Sequence, residues 1–407
     1  MKTGLDQYTD IITYAVKNSA AKLTKSFEKI LIEVIILYMI IPRKVNFTQM
    51  ERYGSHDEQT YLNNFGKKKS ECIDWLKLNV SLAKRYFGEK GRRAIAIDSS
   101  FISKSGKKTP HIGRFWSGCA QAVKHGLEIM GIGLIDIDAN DCIMLRAHQS
   151  LTGKELGLRD KSMTDFYISV IKRYRRELLK LSTLIVADAY FSTSTFVNGI
   201  KKYGFSLVSR FRDNACLYYV YNGPRTGKRG RPKTKDGKID MNKLDLTRME
   251  KMEMKKAEGT AYTLIAYSKA LKCKIRLVIW QMPNGKKKLF FSNDISLSGD
   301  EVLAYYRTRF QIEFCYRDAK GYTGLMHCQA RNKWKLDFAF NASFASLNVA
   351  KVTMKEMGMQ YSMSSFKALM TNTYIVRRIF KACGYNPNRT LISKIFKDLS
   401  CLQRKTA

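Results

Sequence analysis

The chain has 407 residues, 45% of them apolar, so it can bury a substantial core and is long enough for two or three domains. Its 72 Lys and Arg exceed its 35 Asp and Glu by 37. This excess predicts a polyanionic partner, nucleic acid first, because neutralised phosphates release condensed counterions. The nine cysteines form no C-x-x-C pair and the five histidines lack metal-ligand spacing, which argues against a zinc site or a disulfide framework and favours a reducing compartment.

Residues 1–90 predict a helical N-terminal domain. Apolar residues recur at helical spacing in 17–38 and 73–86, on either side of the polar stretch 51–59. Two roles stay open, a packing cap on the next domain and a module that recognises DNA ends. The polar start of the chain lacks the pattern of a signal peptide. The apolar run 30–41 is shorter than the roughly 20 residues that span a bilayer, so we expect a cytoplasmic protein without a membrane partner.

Residues 91–209 predict the first part of an α/β domain. An apolar run at 94–97 is typical of a buried strand and ends at Asp98. Strand-like alternation follows at 116–123, 127–137 and 142–147, and helical spacing at 158–180. A second apolar run at 183–187 ends at Asp188 and precedes a helix at 193–203 and a strand at 205–209.

Asp98 and Asp188 are the first two candidate catalytic residues. In open α/β sheets, ligands bind beyond the carboxyl ends of the strands. A single aspartate in that position often only caps the following turn, but neighbouring strands would bring two carboxylates together. Like charges at close range favour a shared divalent cation. Asp136 and Asp138 remain alternatives for the first acid.

Residues 210–292 predict a β-rich insertion subdomain, with strand-like islands at 216–221, 261–267, 274–281 and 288–291. Within it, 228–233 contains Arg-Gly-Arg-Pro, the core of segments that enter narrow A·T minor grooves, so Arg229 and Arg231 are candidate DNA contacts. Trp280 is a candidate for stacking on an extruded base, with a place in the core as the alternative.

After residue 292, helical patterns dominate. Ser298 or Asp300 is the expected N-cap of a helix in 293–330. The region 331–407 is expected to be helical, including 365–380, where core packing and a dimer interface are both open.

One helix of 293–330 carries a charged stripe. Tyr306, Arg309, Glu313 and Lys320 lie at offsets 0, 3, 7 and 14, which places them within about 60° of one another around a helix. Glu313 is suited to ligate a cation, and the two bases and the phenol to hold phosphate oxygens. The alternative is a solvated helix face with local ion pairs.

The spacing Y-x2-R-x3-E-x6-K resembles the signature of bacterial insertion-sequence transposases of the DDE type, those with a β-rich insertion. The flanking runs 290–294 and 309–313 are similar to the same family, as are the sequences around the first two acids, Ala96 to Ser100 and Val186 to Phe191. The resemblance covers roughly 90–330 and is most specific around Glu313. One departure is Phe310, where the family commonly has Trp.

The resemblance implies a ribonuclease H-like α/β core, a mixed five-stranded sheet interrupted by the insertion, with Asp98, Asp188 and Glu313 as catalytic residues. It also implies that these three ligate two Mg²⁺ ions, with Mn²⁺ as a substitute, for DNA strand cleavage and strand transfer. Expected partners are double-stranded DNA, at element ends and target, and a second copy of the chain when ends are paired, in the bacterial nucleoid. If Asp98 is catalytic, Lys104 and Lys107 in the loop that follows it are candidate DNA contacts; an ordinary exposed loop is the alternative.

Two other functions remain open. One is a non-catalytic DNA-binding protein derived from a transposase. The other is a ribonuclease H-like nuclease that does not join strands.

Overall fold

The computed structural model describes residues 3–19, 23–212, 214–224, 233–253, 258–385, 387–388, 390–391 and 394–395. This part of the chain is a mixed α/β structure built on one 12-stranded sheet. No helix among these residues has the length and apolar character needed to cross a membrane.

The helices and strands have the following bounds. The helices are α1 (Gly4–Lys17), α2 (Lys25–Ile40), α3 (Phe47–Tyr53), α4 (Glu58–Asn64), α5 (Lys67–Ser70), α6 (Trp75–Phe87), α7 (Gly153–Gly157), α8 (Met163–Leu179), α9 (Ser194–Lys201), α10 (Gly299–Thr308), α11 (Phe310–Tyr322), α12 (Lys333–Glu356) and α13 (Met363–Ala382). The strands are β1 (Arg93–Ser103), β2 (Gly113–Ser117), β3 (Ala122–Asp136), β4 (Asp141–Gln149), β5 (Leu184–Val186), β6 (Ser206–Arg210), β7 (Leu217–Val220), β8 (Lys235–Lys238), β9 (Glu250–Met252), β10 (Thr260–Ser268), β11 (Cys273–Gln281) and β12 (Lys287–Ser292).

Local capping decides where the N-terminal helices begin. Of the helix expected at 17–38, Lys17 belongs to the end of α1, and α2 begins at Lys25, where the Thr24 side chain caps the helix by accepting from the Phe27 amide. Asp74 caps α6 in the same way, through the Lys77 amide. The helix expected at 73–86 is therefore confirmed to within one or two residues, whereas α1 was not predicted.

The strand order places β1 at the centre of one half of the sheet. β1 runs antiparallel to β3 and parallel to β5, and β5 runs parallel to β6. β4 runs antiparallel to β3 and pairs with Ile129 to Asp136 of that strand. Beyond β6 the order continues through β12, β11, β10, β7 and β8, with β9 paired to β10. The strands of 210–292 thus extend the sheet that begins with β1.

The expected strand at 116–123 is wrong. Residues 118–121 form the turn between β2 and β3, where the Gln121 amide donates to the Gly118 carbonyl and Gln121 has φ +48°. Alternation alone did not distinguish one strand from the two arms of a hairpin, since apolar side chains flank the turn on both sides.

Two apolar cores lie on opposite faces of the sheet. Ala94 and Ala96 of β1 pack in one core, and Ile95 and Ile97 pack in the other. The first core includes residues of α2, α11 and α12, and the second includes residues of α8 and α9. By this alternation, the side chain that follows at position 98 lies on the α11 face.

Asparagine side chains seal the outer edge of β4. Asn348 of α12 accepts from the Met144 amide (3.2 Å) and donates to the Met144 carbonyl (2.7 Å). Asn341 does the same for Ala147 (2.9 and 3.3 Å), and Asn79 of α6 donates to the Leu145 carbonyl (3.0 Å). All three asparagines are fully buried. The strand therefore satisfies its outer backbone groups with side chains instead of another strand.

We expect Asn348→Ala to lower the free energy of unfolding by roughly 2–4 kcal/mol, because it leaves a buried amide and a buried carbonyl of Met144 unpaired, each at a cost of about 1–3 kcal/mol. Urea unfolding followed by circular dichroism measures the change. The matched control is Asn198→Ala, at an exposed asparagine of α9. Equal stability of the two variants would show that the edge contacts contribute little.

Candidate active site

Asp98 and Asp188 lie side by side on two adjacent parallel strands. Asp98 is in the middle of β1, which continues to Ser103, so the strand end expected at Asp98 is wrong, whereas Asp188 follows the last residue of β5 by two positions. The β1–β5 register pairs Ile95 with Ile185 and Ala96 with Val186. Continued by two residues, it places Asp98 beside Asp188, and both side chains point to the α11 face by the alternation of the preceding residues. The sheet thus juxtaposes two acids that are 90 positions apart in the sequence.

The backbone around Asp188 is fixed by polar contacts. Its carboxylate oxygen Oδ1 accepts from the Tyr190 amide (3.0 Å) at the start of a short 3-10 turn, Ala189–Phe191. The Ser209 hydroxyl of β6 donates to the Asp188 carbonyl (2.8 Å). Asp188 therefore caps a turn, as a lone aspartate in this position often does, while it also stands next to Asp98.

The stripe predicted from sequence spans two helices that meet at Arg309. Ser298 is the N-cap of α10 and forms a capping box with Glu301, which confirms the expected cap. At the junction the Arg309 amide is shared between the Tyr305 and Tyr306 carbonyls, both at 3.2 Å. Tyr306 lies in the last turn of α10, and Glu313 in the first turn of α11.

Arg309 is a buried cation between the acidic side chains. Only 5% of the residue is exposed, and its Nη2 donates to Glu313 Oε1 at 2.7 Å. The Nε of Arg309 is buried and has no hydrogen-bond partner among the described residues. The local ion pair that the sequence analysis kept as an alternative is thus present, between Arg309 and Glu313. It differs from a solvated surface pair because the arginine is buried.

The electrostatics of Asp98 connect all three acids. The pKa of Asp98 is raised to about 7. Burial is the largest cause, Arg309 acts in the opposite direction, and the negative charges of Asp188 and Glu313 also raise the pKa. Carboxylates from β1, the turn after β5 and α11 therefore act on one another. Such mutual repulsion in a partly desolvated site is what a divalent cation would relieve.

The three carboxylates do not stand as one ready-made metal cage. Within the described part of the chain, no three Asp, Glu, His or Cys side chains are gathered closely enough to hold one metal ion. Glu313 is instead turned to Arg309, with 45% of its side chain exposed. The chemistry of the donor set nevertheless fits Mg²⁺, because all three side chains are carboxylates and Mg²⁺ takes oxygen ligands.

The raised pKa of Asp98 predicts a pH-dependent stability in the absence of divalent cations. Between its ordinary pKa of 3.8 and its folded value of about 7, the folded protein keeps a proton that the unfolded chain releases. The contribution of Asp98 is therefore greatest below pH 4 and is lost as the pH rises to about 7. Relative to wild type, Asp98→Asn should gain stability from pH 4 to pH 7, measured by urea unfolding with EDTA present. A stability difference that does not change over this range would refute the assignment.

Two other residues of the stripe are held by the protein. Tyr306 is buried, with its ring 4.9 Å from that of Phe290 and 5.6 Å from the Arg309 guanidinium carbon. Burial raises the Tyr306 pKa, so the phenol keeps its proton. The Lys320 ammonium donates to the Phe101 carbonyl of β1 (2.9 Å), and burial lowers its pKa.

The remaining predicted DNA contacts lie in different surroundings. The Lys104 ammonium donates to the carbonyls of Cys328 (2.8 Å) and Ala330 (3.1 Å), whereas Lys107 is exposed. Trp280 is half-buried, donates from Nε1 to the Glu258 carbonyl (3.1 Å) and packs against the first core. Arg229 and Arg231 lie outside the described residues.

The alternative acids occupy the other end of β3. Asp136 pairs with Arg93 at the start of β1, five residues before Asp98, and accepts from Arg93 Nε at 3.1 Å. Asp138 is exposed and pairs with Arg92. Neither lies near Asp188, since the register places both at the opposite end of β1.

Three residues of the site were not predicted. The Tyr316 hydroxyl donates to the Asp98 carbonyl (3.0 Å), and Gly131, opposite Asp98 on β3, makes room for it, because a Cβ there would overlap the hydroxyl. Arg210, exposed at the end of β6, lowers the pKa of Tyr306. The sequence offered one signal for Arg210, namely a basic residue at the carboxyl end of β6, the third parallel strand.

Carboxylates on two adjacent strands of a mixed α/β sheet are suited to hold the divalent cations that nuclease-type enzymes use. Residues 25–269 match the family described as DDE superfamily endonuclease. The match covers more than half of the chain, which therefore belongs to this family, and the family implies DNA as the substrate. It includes Asp98 and Asp188 and ends before Glu313. A comparison with curated proteins found no match.

Proposed function

We propose that the protein is a DDE transposase that cleaves DNA strands and transfers them to a target, with Asp98, Asp188 and Glu313 as its catalytic residues. The observation that carries the proposal is the shared electrostatic environment of these acids, in which Asp188 and Glu313 both raise the pKa of Asp98. Family membership supports the choice of DNA as substrate.

The strand order supports a ribonuclease H-like core. In β4-β3-β1-β5-β6, three antiparallel strands are followed by two that run parallel to β1. We assign the core to 91–209 and 293–330, with 210–292 as the inserted part. Residues 1–90 would form the N-terminal DNA-binding domain, and 331–407 a helical C-terminal region.

The three acids would hold two Mg²⁺ ions, for which Mn²⁺ is a substitute. When bound, such ions lower the pKa of an attacking hydroxyl and stabilise the leaving oxygen of the scissile phosphate. The Tyr190 amide and the Ser209 hydroxyl keep Asp188 in place, and the Tyr316 hydroxyl keeps the Asp98 backbone in place. These residues position the carboxylates that meet the reacting phosphate.

Arg309 would exchange partners when DNA binds. Its guanidinium neutralises Glu313 in the free protein, and its buried Nε has a hydrogen still to donate. An Arg–phosphate contact would use that donor and release Glu313 towards Asp98. Lys320, Tyr306 and the exposed Arg210 line the same region and would hold adjacent backbone oxygens.

The expected partners are double-stranded DNA, at the element ends and at the target, and a second copy of the chain when two ends are paired. The charge excess of 37 agrees with a DNA-bound, nucleoid-associated protein. A nuclease that hydrolyses DNA without joining strands is the second candidate, favoured by the description of the family as endonucleases.

A plasmid that carries this reading frame with its flanking DNA tests the proposal. Purified protein with Mg²⁺ should cut at both junctions of the flanking DNA and join the freed 3′ ends to a second, labelled plasmid. The matched control plasmid carries the reading frame alone. Cutting without joining would favour the second candidate, and no Mg²⁺-dependent cutting would refute both.

A further inference from the structure

A basic pocket of about 810 Å³ lies at the β4 edge of the sheet, between β4, α8 and the start of α12. Six cationic side chains line it: Arg146, Arg159, Lys161, Lys172, Arg173 and Lys333. All but Arg146 are exposed. A concave surface with this charge attracts anions from solution.

The two acids of the pocket are already engaged. Asp165 is bound in the capping box of α8 with Ser162. Asp337 accepts from Arg146 Nη2 with both carboxylate oxygens, each at 2.8 Å. The six basic side chains outnumber the two carboxylates, so the pocket keeps a net positive charge.

The positive charges of the pocket also act on the His148 imidazole. Burial lowers its pKa well below the ordinary value, and the charges of Arg146 and Arg173 lower it further. The imidazole thus stays neutral, hydrogen-bonded through Nε2 to the Tyr174 hydroxyl (2.7 Å).

Arg146 has donors to spare. Besides its contacts to Asp337, its Nε donates to the Tyr174 hydroxyl (3.3 Å), and its buried Nη1 has no partner among the described residues. Buried donors in folded proteins are nearly always paired, so an unpaired one in a pocket indicates an acceptor from a ligand or from water.

Aromatic side chains are interleaved with the bases. The Trp334 ring has the Lys333 ammonium at 4.7 Å, and the Tyr203 ring has the Lys172 ammonium at 5.8 Å. Phe166 also lines the pocket, and all three aromatic residues are half-buried. Surfaces that bind single-stranded nucleic acid alternate cations with aromatic side chains. Unpaired nucleobases stack on the aromatic rings, while the phosphates of the strand contact the cations.

The pocket is separate from the acidic site. Arg146 and His148 flank Ala147, which pairs with Gly131, and Gly131 pairs with Asp98, so two strand spacings, about 10 Å, lie between them. Arg146 and His148 are opposite Ile132 and Met130, which pack in the second core, on the face away from Asp98. Nucleotides bound in this pocket are therefore not the ones that reach the carboxylates.

We propose that this pocket binds an unpaired stretch of a DNA strand other than the stretch that reacts, with its phosphates on Arg173, Lys333 and Arg146 and a base on Trp334. The proposal rests on the proposed function only in taking DNA as the partner. Duplex DNA hides its base faces and would use the cations alone.

Fluorescence anisotropy with a labelled oligothymidine tests the proposal on the whole chain, with EDTA present so that the outcome does not depend on metal at the acids. We expect Arg173→Gln/Lys333→Gln to weaken binding and to lower the slope of log K against log[salt] by about 1.4, since each single-strand phosphate contact contributes about 0.7. The control is Arg176→Gln, an exposed base of α8 that does not line the pocket and should leave the slope unchanged.

A second variant tests the aromatic contact. Trp334→Leu should weaken oligothymidine binding by about tenfold, as expected for the loss of one stacked base, while a duplex of equal length should be unaffected. An unchanged slope in the double variant, or equal losses for duplex and single strand, would overturn the proposal. Either result would leave the proposed cleavage by the three acids untouched, because binding is measured in EDTA, where no cleavage occurs. The two proposals can therefore fail separately.

Discussion

Asp98→Asn should reduce Mg²⁺-dependent DNA cleavage on the order of 10³-fold or more, with little change in DNA affinity. The substitution keeps the size of the side chain but removes an anionic oxygen from the pair formed with Asp188. Loss of a single neutral hydrogen-bond donor to a transition state already lowers the rate of an enzyme about 10²–10³-fold, and loss of a charged metal ligand should cost at least as much. Single-turnover cleavage of end-labelled DNA measures the rate, and anisotropy measures the affinity.

The matched control is Asp138→Asn. Asp138 is an exposed acid at the far end of the same sheet, paired with Arg92, and its loss should leave cleavage within about twofold of wild type. If Asp98→Asn retained full activity, or if Asp138→Asn lost it, the assignment of the first acid would be wrong.

Asp141→Asn should lower the free energy of unfolding by about 3–5 kcal/mol, because it leaves the ammonium of Lys351 buried without its counter-charge. Lys351 is 3% exposed and forms an ion pair with Asp141 Oδ1, and it also donates to the Cys142 carbonyl (2.9 Å). Urea unfolding followed by circular dichroism gives the loss.

The double variant Asp141→Asn/Lys351→Met is the control for this prediction. It removes the unpaired charge and should recover part of the stability lost by Asp141→Asn. A loss below about 1 kcal/mol in the single variant, the range of an exposed pair such as Arg92–Asp138, would show that the buried pair does not stabilise the fold.

The sequence predicted the elements whose signals are local. The apolar runs before Asp98 and Asp188 lie in strands β1 and β5, although β1 continues five residues past Asp98. Ser298 caps α10, as expected. Short strands with weak apolar patterns, such as β8 and β9, were not predicted, because their residues are half-exposed and charged. Their place comes from pairing with β7 and β10.

The site was less predictable because its contacts join distant segments. Helical spacing gave the face on which Arg309 and Glu313 lie, but not that the guanidinium would be buried against Glu313. Likewise, nothing local in the sequence indicates that Lys104 donates to the carbonyls of Cys328 and Ala330. Periodicity reports which way a side chain points, whereas its partner depends on how the elements pack.

The asparagine contacts along β4 also limit how the sheet can be enlarged. Asparagine side chains of α6 and α12 occupy the outer backbone groups of Met144, Leu145 and Ala147. This edge of β4 therefore has no free backbone groups at these residues to pair with a peptide or with a strand of a second molecule. The strands of 210–292 lie beyond β6, away from β4. Two chains therefore cannot pair by adding a strand along β4.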